Sequence, residues 1–569
     1  MSASQDKKRR QAERESGSSP KTLAEREAAV KARKERRTWT IVGVLVALFV
    51  VVIVLLNTNL LYTGTTSVTV GDYKFTNAEY QYYYTTAYNN FTYQYGSYAS
   101  LLGLDTSADL DEQTVQSSLF TMLGLEIPES LQPADEEETA EFTWDDYFRE
   151  TALQNMAQVT AIWDAAVKAG YTLSEEAAEE IDSTIASFET MATANNLRGA
   201  DGYAAVIYGK GVTASLVREL LERAYIAEEY SADIYESFEY SADEINAYYD
   251  ENADAFDAIS FDYYLVEAEK VEVTETVTDE ETGEETEETN EEVTDETMAE
   301  AKEEADSLLE AAQAGAAQDA LSFAEAVAET MGEEAEATEI KSLFGYSVTS
   351  GYGVMAEWLL DSAREPGDMA VLENEGVGYY VVCFNSRSDN SDYNGVAFRH
   401  ILVNVEDEDE DGEFSEEEIE AAEQKIQEIR DEWISDGETE DAFAALANAN
   451  SDDTGSNGSS LYSTEGGLYE HVAKDQMVEP INDWIFDDAR QSGDSEIIYV
   501  ESSNYTGYHL VYFVGEDGYS YHDCLALYGL GYTNAPQGLR QPDYEAWQSE
   551  LIAQFPVRVN GFVNWFAKV

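Results

Sequence analysis

Three phrases of this chain occur twice, in the same order, and that repeat limits what its outer half can fold into. Phe261-Asp262-Tyr263-Tyr264-Leu265-Val266 lines up with Phe398-Arg399-His400-Ile401-Leu402-Val403. Glu357-Trp358-Leu359-Leu360-Asp361-Ser362-Ala363-Arg364 lines up with Asp483-Trp484-Ile485-Phe486-Asp487-Asp488-Ala489-Arg490, and Gly-Asp follows each at the same offset, as Gly367-Asp368 and Gly493-Asp494. Gly378-Tyr379-Tyr380-Val381-Val382 lines up with Gly507-Tyr508-His509-Leu510-Val511. Repeated phrases in one order mean one structural unit used twice. The outer phrases are short apolar, β-branched runs, which read as buried strands, while Glu416–Trp433 and Asp441–Ala449 between them have helical spacing. Two α/β modules are expected, at 259–388 and 396–516. The chain has four histidines. Two of them, His400 and His509, stand at matching strand positions of the second module, and Tyr263 and Tyr380 replace them in the first.

Charge bounds the partners. The formal net charge is −84 over 569 residues, which repels nucleic acid and anionic lipid from the bulk of the chain. Residues 1–38 depart from this, with twelve Lys/Arg against six Asp/Glu. The run Trp39–Leu56 follows, without a charge. As a helix its eighteen residues are about 27 Å long, enough to cross a hydrocarbon core. Lys31, Arg33, Lys34, Arg36 and Arg37 precede it, so the positive-inside rule puts the N-terminus in the cytoplasm and the rest outside. A cleaved signal peptide is the rival reading, against which stand the length of the run and the lack of an Ala-x-Ala site. The expected layout is a basic cytoplasmic tail at 1–38 and a single transmembrane helix at 39–60. Cys383 and Cys524 lie in apolar contexts and read as two buried thiols.

Beyond the apolar run, Thr66–Tyr73 reads as a β segment and Thr76-Asn77-Ala78-Glu79 as a helix cap. Tyr80–Tyr98 holds eight tyrosines, suited both to packed rings and to adaptable peptide contacts. Residues 104–142 read as acidic loop, and Trp144–Tyr240 as helical. Thr274–Glu296 interrupts the first module with an acidic run that reads as a solvated, disordered loop. Tyr519–Tyr532 reads as an extra strand, and Pro542–Val569, with Trp547, Phe555, Phe562, Trp565 and Phe566, is too apolar for a free tail. His471 and His522 read as ordinary surface residues.

The second module resembles the parvulin family of peptidyl-prolyl isomerases. The resemblance rests on His400-Ile401-Leu402-Val403, Phe443-Ala444-Ala445-Leu446-Ala447 before Ser451-Asp452-Asp453, Gly466-Gly467, Gln476-Met477-Val478-Glu479-Pro480, and Gly507-Tyr508-His509. These span about 120 residues in the family's order. Residues 68–258, ending in the helical phrase Asp243–Asn252, are similar to the N-terminal chaperone domain of extracytoplasmic foldases of the SurA and PrsA type. The fold implied is α+β: a helical chaperone domain, then two tandem parvulin-like modules, the first degenerate, with residues 517–569 packing back on the chaperone domain. The resemblance also implies roles. His400 and His509 would form a hydrogen-bonded pair beneath the bound proline, with Asp453 facing the amide and Thr506 supplying a hydroxyl beside the second histidine. Met477 and Ile481 would line the proline pocket, with Ile481 where the family has Phe. The phrase after Gly466-Gly467 is also degraded, which weakens the pocket.

Rotation about an X-Pro amide needs no nucleophile and no cofactor, only preferential binding of the twisted state. One cation motif stands apart. Asp407, Asp409, Asp411, Glu413 and Glu418 fit a twelve-residue calcium loop with Gly412 at its turn, but the loop follows a strand instead of a helix, and a solvated acidic loop is the plainer reading of so acidic a chain. The expected function is a membrane-anchored extracytoplasmic foldase that isomerises X-Pro bonds in secreted proteins. A non-catalytic holdase gripping clients through the same folds is the alternative. Expected partners are unfolded or newly secreted polypeptides and the cytoplasmic membrane, not nucleic acid, and a dimer is compatible with the sequence.

Overall fold

The computed structural model describes residues 3–15, 31, 34, 40–42, 44–47, 49, 59–96, 98–122, 125, 127–133, 140–278, 285–316, 321–407, 414–453, 465–502, 505–532 and 534–561. Among them no helix is long and apolar enough to cross a membrane. Most of the 39–60 segment lies outside the described residues. The chain divides into two compact units, one of residues 1–234 with 546–569 and one of residues 235–545. Strands are numbered β1–β13 in chain order.

The first unit is helical around a three-stranded antiparallel sheet. Strand β1 (Thr66–Val70) lies between β2 (Tyr73–Thr76) and β13 (Val557–Val559), so a strand from near the C-terminus completes a sheet begun near residue 66. The helix Asn77–Tyr95 starts at a capping box: the Thr76 hydroxyl accepts from the Glu79 N–H at 3.3 Å, and the Glu79 carboxylate accepts from the Thr76 N–H at 2.6 Å. Each half satisfies a donor that the first helical turn would leave orphaned. Tyr80, Tyr82, Tyr83 and Tyr84 are buried on this helix, whereas Tyr93 is exposed. Below them Phe91, Phe120, Trp144, Tyr147 and Phe148 form an aromatic core, with Phe91 and Trp144 centroids 5.0 Å apart. Fully burying one such ring stabilises the unit by about 1.5–3 kcal/mol. The tract 104–142 carries short helical turns at Leu110–Glu112, Ser117–Met122 and Glu129–Leu131 within otherwise irregular chain.

The second unit holds two four-stranded sheets of one topology. In the first, β6 (Thr338–Phe344), β3 (Ala258–Glu267), β8 (Gly378–Ser388) and β7 (Met369–Asn374) lie side by side in that order. In the second the order is β10 (Leu468–Val472), β9 (Asn394–Asn404), β12 (Thr506–Ser520) and β11 (Ser495–Glu501). The register agrees as well. Tyr263 faces Val382 and Leu265 faces Tyr380 in one, as His400 faces Val511 and Leu402 faces His509 in the other.

The middle repeated phrase builds the same corner twice. Arg364 lies over the Trp358 ring and pairs with Asp361 and Asp368; Arg490 lies over the Trp484 ring and pairs with Asp487 and Asp494. The Gly367 N–H donates to the Phe384 carbonyl at 2.8 Å, and the Gly493 N–H to the Phe513 carbonyl at 2.9 Å. These phrases therefore recur because they tie the last helix of each module to its central strand.

Three expectations are corrected. The acidic run Thr274–Glu296 is largely a hairpin, β4 (Lys270–Thr278) paired with β5 (Glu285–Val293), and the helix Asp295–Ala316 follows. Its Val and Thr content, Val271, Val273, Thr274, Thr276 and Val277, favours a pleated pair despite the charge. Tyr519–Tyr532 is not a strand: β12 ends at Ser520, whose hydroxyl caps the helix Tyr521–Tyr528. His522 is not a surface residue. It is buried on that helix, its ring stacked on Tyr249 with centroids 3.7 Å apart and its Nδ1 3.1 Å from the Asp389 carbonyl. Cys383 and Cys524 are buried free thiols.

Candidate active site

Strands β9 and β12 are central in the second sheet, and this buries His400 and His509 to 6 % and 2 % exposure. They face each other diagonally, the two Nδ1 atoms 3.0 Å apart and the rings nearly parallel. His400 Nε2 lies 2.9 Å from Asp453 Oδ2, and the Tyr469 hydroxyl donates to the same oxygen at 2.9 Å. At the other end His509 Nε2 lies 3.1 Å from the Tyr505 hydroxyl.

With Asp453 ionised and both imidazoles neutral, one tautomer assignment satisfies every contact. Tyr505 donates to His509 Nε2, His509 Nδ1–H donates to His400 Nδ1, and His400 Nε2–H donates to Asp453. Burial, and next the neighbouring His400, push the His509 pKa down to about 3, partly opposed by Asp453. A charged His509 is thus excluded at neutral pH. Burial, and next the Asp453 charge, push the Tyr505 phenol up, so it remains a donor.

The backbone places Asp453. Strand β10 pairs with β9 only over its first part, at Val396, Phe398 and Arg399. Beyond that the segment Ser451–Asp453 takes over the edge. The Leu402 N–H donates to the Ser451 hydroxyl at 3.1 Å, the Asn404 N–H to Asp452 Oδ2 at 2.9 Å, and the Asp452 N–H to the Leu402 carbonyl at 2.8 Å. The helix Glu440–Asn450 delivers this segment to the sheet. The Gly466-Gly467 turn is required at the same place. Gly467 has φ +67°, and a Cβ there would sit 2.3 Å from the His400 carbonyl oxygen. Only glycine lets the chain pass this close to β9 and turn into β10.

The remaining site residues sit around this line. Met477 is half-buried, and Ile481 is 2 % exposed; both pack with Phe398, Tyr469 and Val511. Thr506 is buried at the start of β12, and its carbonyl accepts from the Val405 N–H at 2.9 Å. The hydroxyl that meets His509 belongs to Tyr505. Neither Tyr505 nor Tyr469 was singled out from sequence. Tyr505 lies four residues before His509, and Tyr469 directly follows the Gly-Gly turn and Leu468, so their positions were visible but their partners were not.

In the first module Tyr263 and Tyr380 meet edge to face at 5.8 Å, and Tyr352 packs against Tyr263 at 6.1 Å. Rings occupy the space that the histidine pair fills in the second. Of the acidic loop, Asp409, Asp411 and Glu413 lie outside the described residues, and Asp407 ends the described stretch. Glu418 Oε2 accepts from the Ser415 N–H at 2.8 Å and from its hydroxyl at 2.9 Å, capping the helix Glu416–Ser435.

Residues 400–515 match the rotamase family, described as a PPIC-type PPIase domain. No curated protein matches the chain. The matched span begins at His400 and encloses Asp453, Tyr469, Tyr505 and His509. The chain therefore carries a peptidyl-prolyl cis–trans isomerase domain of parvulin type.

Proposed function

We propose that this parvulin-type peptidyl-prolyl isomerase is a membrane-anchored extracytoplasmic foldase, acting on X-Pro bonds of secreted polypeptides. The observation that carries the catalytic part is the one-way hydrogen-bond line from Tyr505 through His509 and His400 to Asp453. Its last member has a side chain 23 % exposed, whereas His400 is nearly enclosed. The barrier to amide rotation is about 18–20 kcal/mol because the C–N bond has double-bond character. A group lowers it only by interacting better with the twisted amide than with either planar form. Asp453 supplies such a group: a carboxylate whose Oδ2 is held by two donors, at the edge of an apolar cluster that contains Met477 and Ile481. Its negative field acts on the amide as resonance is lost, and the fixed geometry avoids reorganisation.

The anchoring rests on the charge-free run Trp39–Leu56 behind its basic flank, which points the isomerase away from the cytoplasm. The holdase reading draws on Ile481, buried at 2 % exposure where the family carries an aromatic ring, and on the tyrosine-filled first module. A protease-coupled proline-peptide assay on the full chain separates the two. The wild type should accelerate isomerisation, and Asp453→Ala should lower kcat/KM about 100- to 1,000-fold while remaining folded by circular dichroism. Equal rates with and without the protein, together with suppressed aggregation of an unfolded client, would make it a holdase.

A further inference from the structure

Outside the histidine pair, the second unit holds another cluster of metal-ligating side chains. Donor atoms of His471, Asp517 and Cys524 all lie within 4.8 Å of one another. His471 Nδ1 is 3.1 Å and 3.2 Å from the two Asp517 oxygens. His471 is half-buried, while Asp517 and Cys524 are nearly enclosed.

The strands are bent to make this meeting. The β10–β9 register shifts between Tyr469 and Val472, and His471 lies in that bulge with φ +51°. The β12–β9 register shifts between Glu516 and Ser520, and Asp517 lies in that second bulge. Val396 pairs with Val472 on one side and Glu516 on the other, so the two bulges flank the same point of β9. Beside it is Gly395, where any Cβ would sit 2.3 Å from Asp517 Oδ2. Bulges re-aim side chains and gather near functional sites. Here two of them turn a histidine and an aspartate towards a cysteine on the helix Tyr521–Tyr528. A cavity of about 260 Å³, lined by His471, Cys524, Tyr521, Tyr528 and Leu530, opens on the cluster.

We propose that His471, Asp517 and Cys524 form a zinc site, with a fourth position open to the cavity. The donor set is one nitrogen, one sulfur and one oxygen, which suits Zn²⁺ and excludes the hard cations that want oxygen alone. Around a tetrahedral zinc, ligands bound at about 2.0–2.3 Å lie roughly 3.3–3.8 Å apart. The cluster needs to contract by about 1.3 Å at most to reach that, since its one sulfur would lie about 3.5 Å from the nitrogen and the oxygen. Charge also balances: thiolate and carboxylate together neutralise the dication, so the loaded site is neutral. Binding transfers the thiol proton to solvent and forms the Zn–S bond, releasing at least one proton per metal. Burial, and next the adjacent Asp517, hold the Cys524 thiol well above its usual pKa when no metal is bound. A zinc there would pin β10, two residues beyond Tyr469, which holds Asp453.

The test is titration of the full chain with Co²⁺ and Zn²⁺ in excess Mg²⁺, which occupies the many carboxylate sites. One Co²⁺ per chain should bind with a thiolate-to-metal charge-transfer band, and Zn²⁺ should displace it. The band should vanish in Cys524→Ser and persist in Cys383→Ser. Affinity should fall at least about tenfold in His471→Gln. His471 is half-buried in a bulge, so this variant decides the matter even if Cys524→Ser does not fold. Absence of the band in the wild type, or unchanged titration in His471→Gln, overturns the proposal and leaves a His–Asp ion pair beside an inert thiol.

Discussion

At the scale of single residues, His509 couples the site to pH. Its pKa is pushed down to about 3 in the folded chain, against about 6.5 for a free imidazole. The unfolded chain therefore binds the extra proton first. This group's contribution to stability is complete above about pH 6.5 and is lost progressively as pH falls towards 3. Denaturant midpoints measured at pH 7.5 and 5.5 should drop in the wild type and drop less in His509→Gln. An equal drop in both would mean that the imidazole is not held neutral. His509→Ala should also remove isomerase activity and cost about 1–3 kcal/mol, because His400 Nδ1 and the Tyr505 hydroxyl lose a buried partner. Gly467→Ala should be worse than its size suggests. A methyl at φ +67° and 2.3 Å from the His400 carbonyl must move β9 or the turn. The left-handed backbone alone costs about 1–2 kcal/mol, and the displaced His400 should cost activity as well. Thermal melts and the proline-peptide assay on one preparation would check both.

At the scale of elements, the two modules share a sheet order and a corner but not a site. The Arg–Trp–Asp corners at 358–368 and 484–494 hold each fold in the same way. They ask nothing of the central strands where the histidines or tyrosines stand. Two tyrosines cannot replace two histidines there, since a phenol has one polar atom and the pair needs a donor and an acceptor on each member. The full chain carrying Asp453→Ala should therefore retain almost no isomerase activity from residues 259–388. The segment between β9 and its helix, Glu406–Glu413, is acidic apart from Gly412, and Glu406, Glu417 and Glu418 line a groove beside β9. Peptides with Lys before proline should be turned over faster than those with phosphoserine, and raised salt should narrow the gap. Faster turnover of the phosphopeptide would reject this preference.

At the scale of the whole molecule, the proposed topology rests on charge distribution. Residues 1–38 are net basic in a chain of net charge −84, and the apolar charge-free run Trp39–Leu56 follows them. Protease added to intact cells should degrade the chain beyond about residue 60 and spare the basic tail. Protection of the isomerase domain would place it in the cytoplasm and remove the foldase reading. The strand Val557–Val559 pairs with Thr66–Val70 across nearly the whole chain. Loss of residues 546–569 should therefore destabilise the first unit, read as lower protection of β1 amides from exchange.

Much of this was legible in the sequence because it rests on local pattern. Apolar β-branched runs mark β3, β8, β9 and β12, the Thr-x-x-Glu phrase at Thr76 marks a helix start, and the repeated Trp-Arg-Gly-Asp phrase marks one corner used twice. The meeting of His400 with His509 was legible too, through the family resemblance that the strand phrases carry. What pairs with these groups was decided only by tertiary structure. Tyr469 and Tyr505 find Asp453 and His509 across turns whose course no spacing encodes. His471 and Asp517 reach Cys524 because two bulges shift register, and a bulge exists only once strands have paired. The hairpin within Thr274–Glu296 shows the same limit from the other side. Its charge argues for solvated chain, yet pairing gives the backbone polar groups on the facing edges of β4 and β5 partners that an isolated acidic strand lacks.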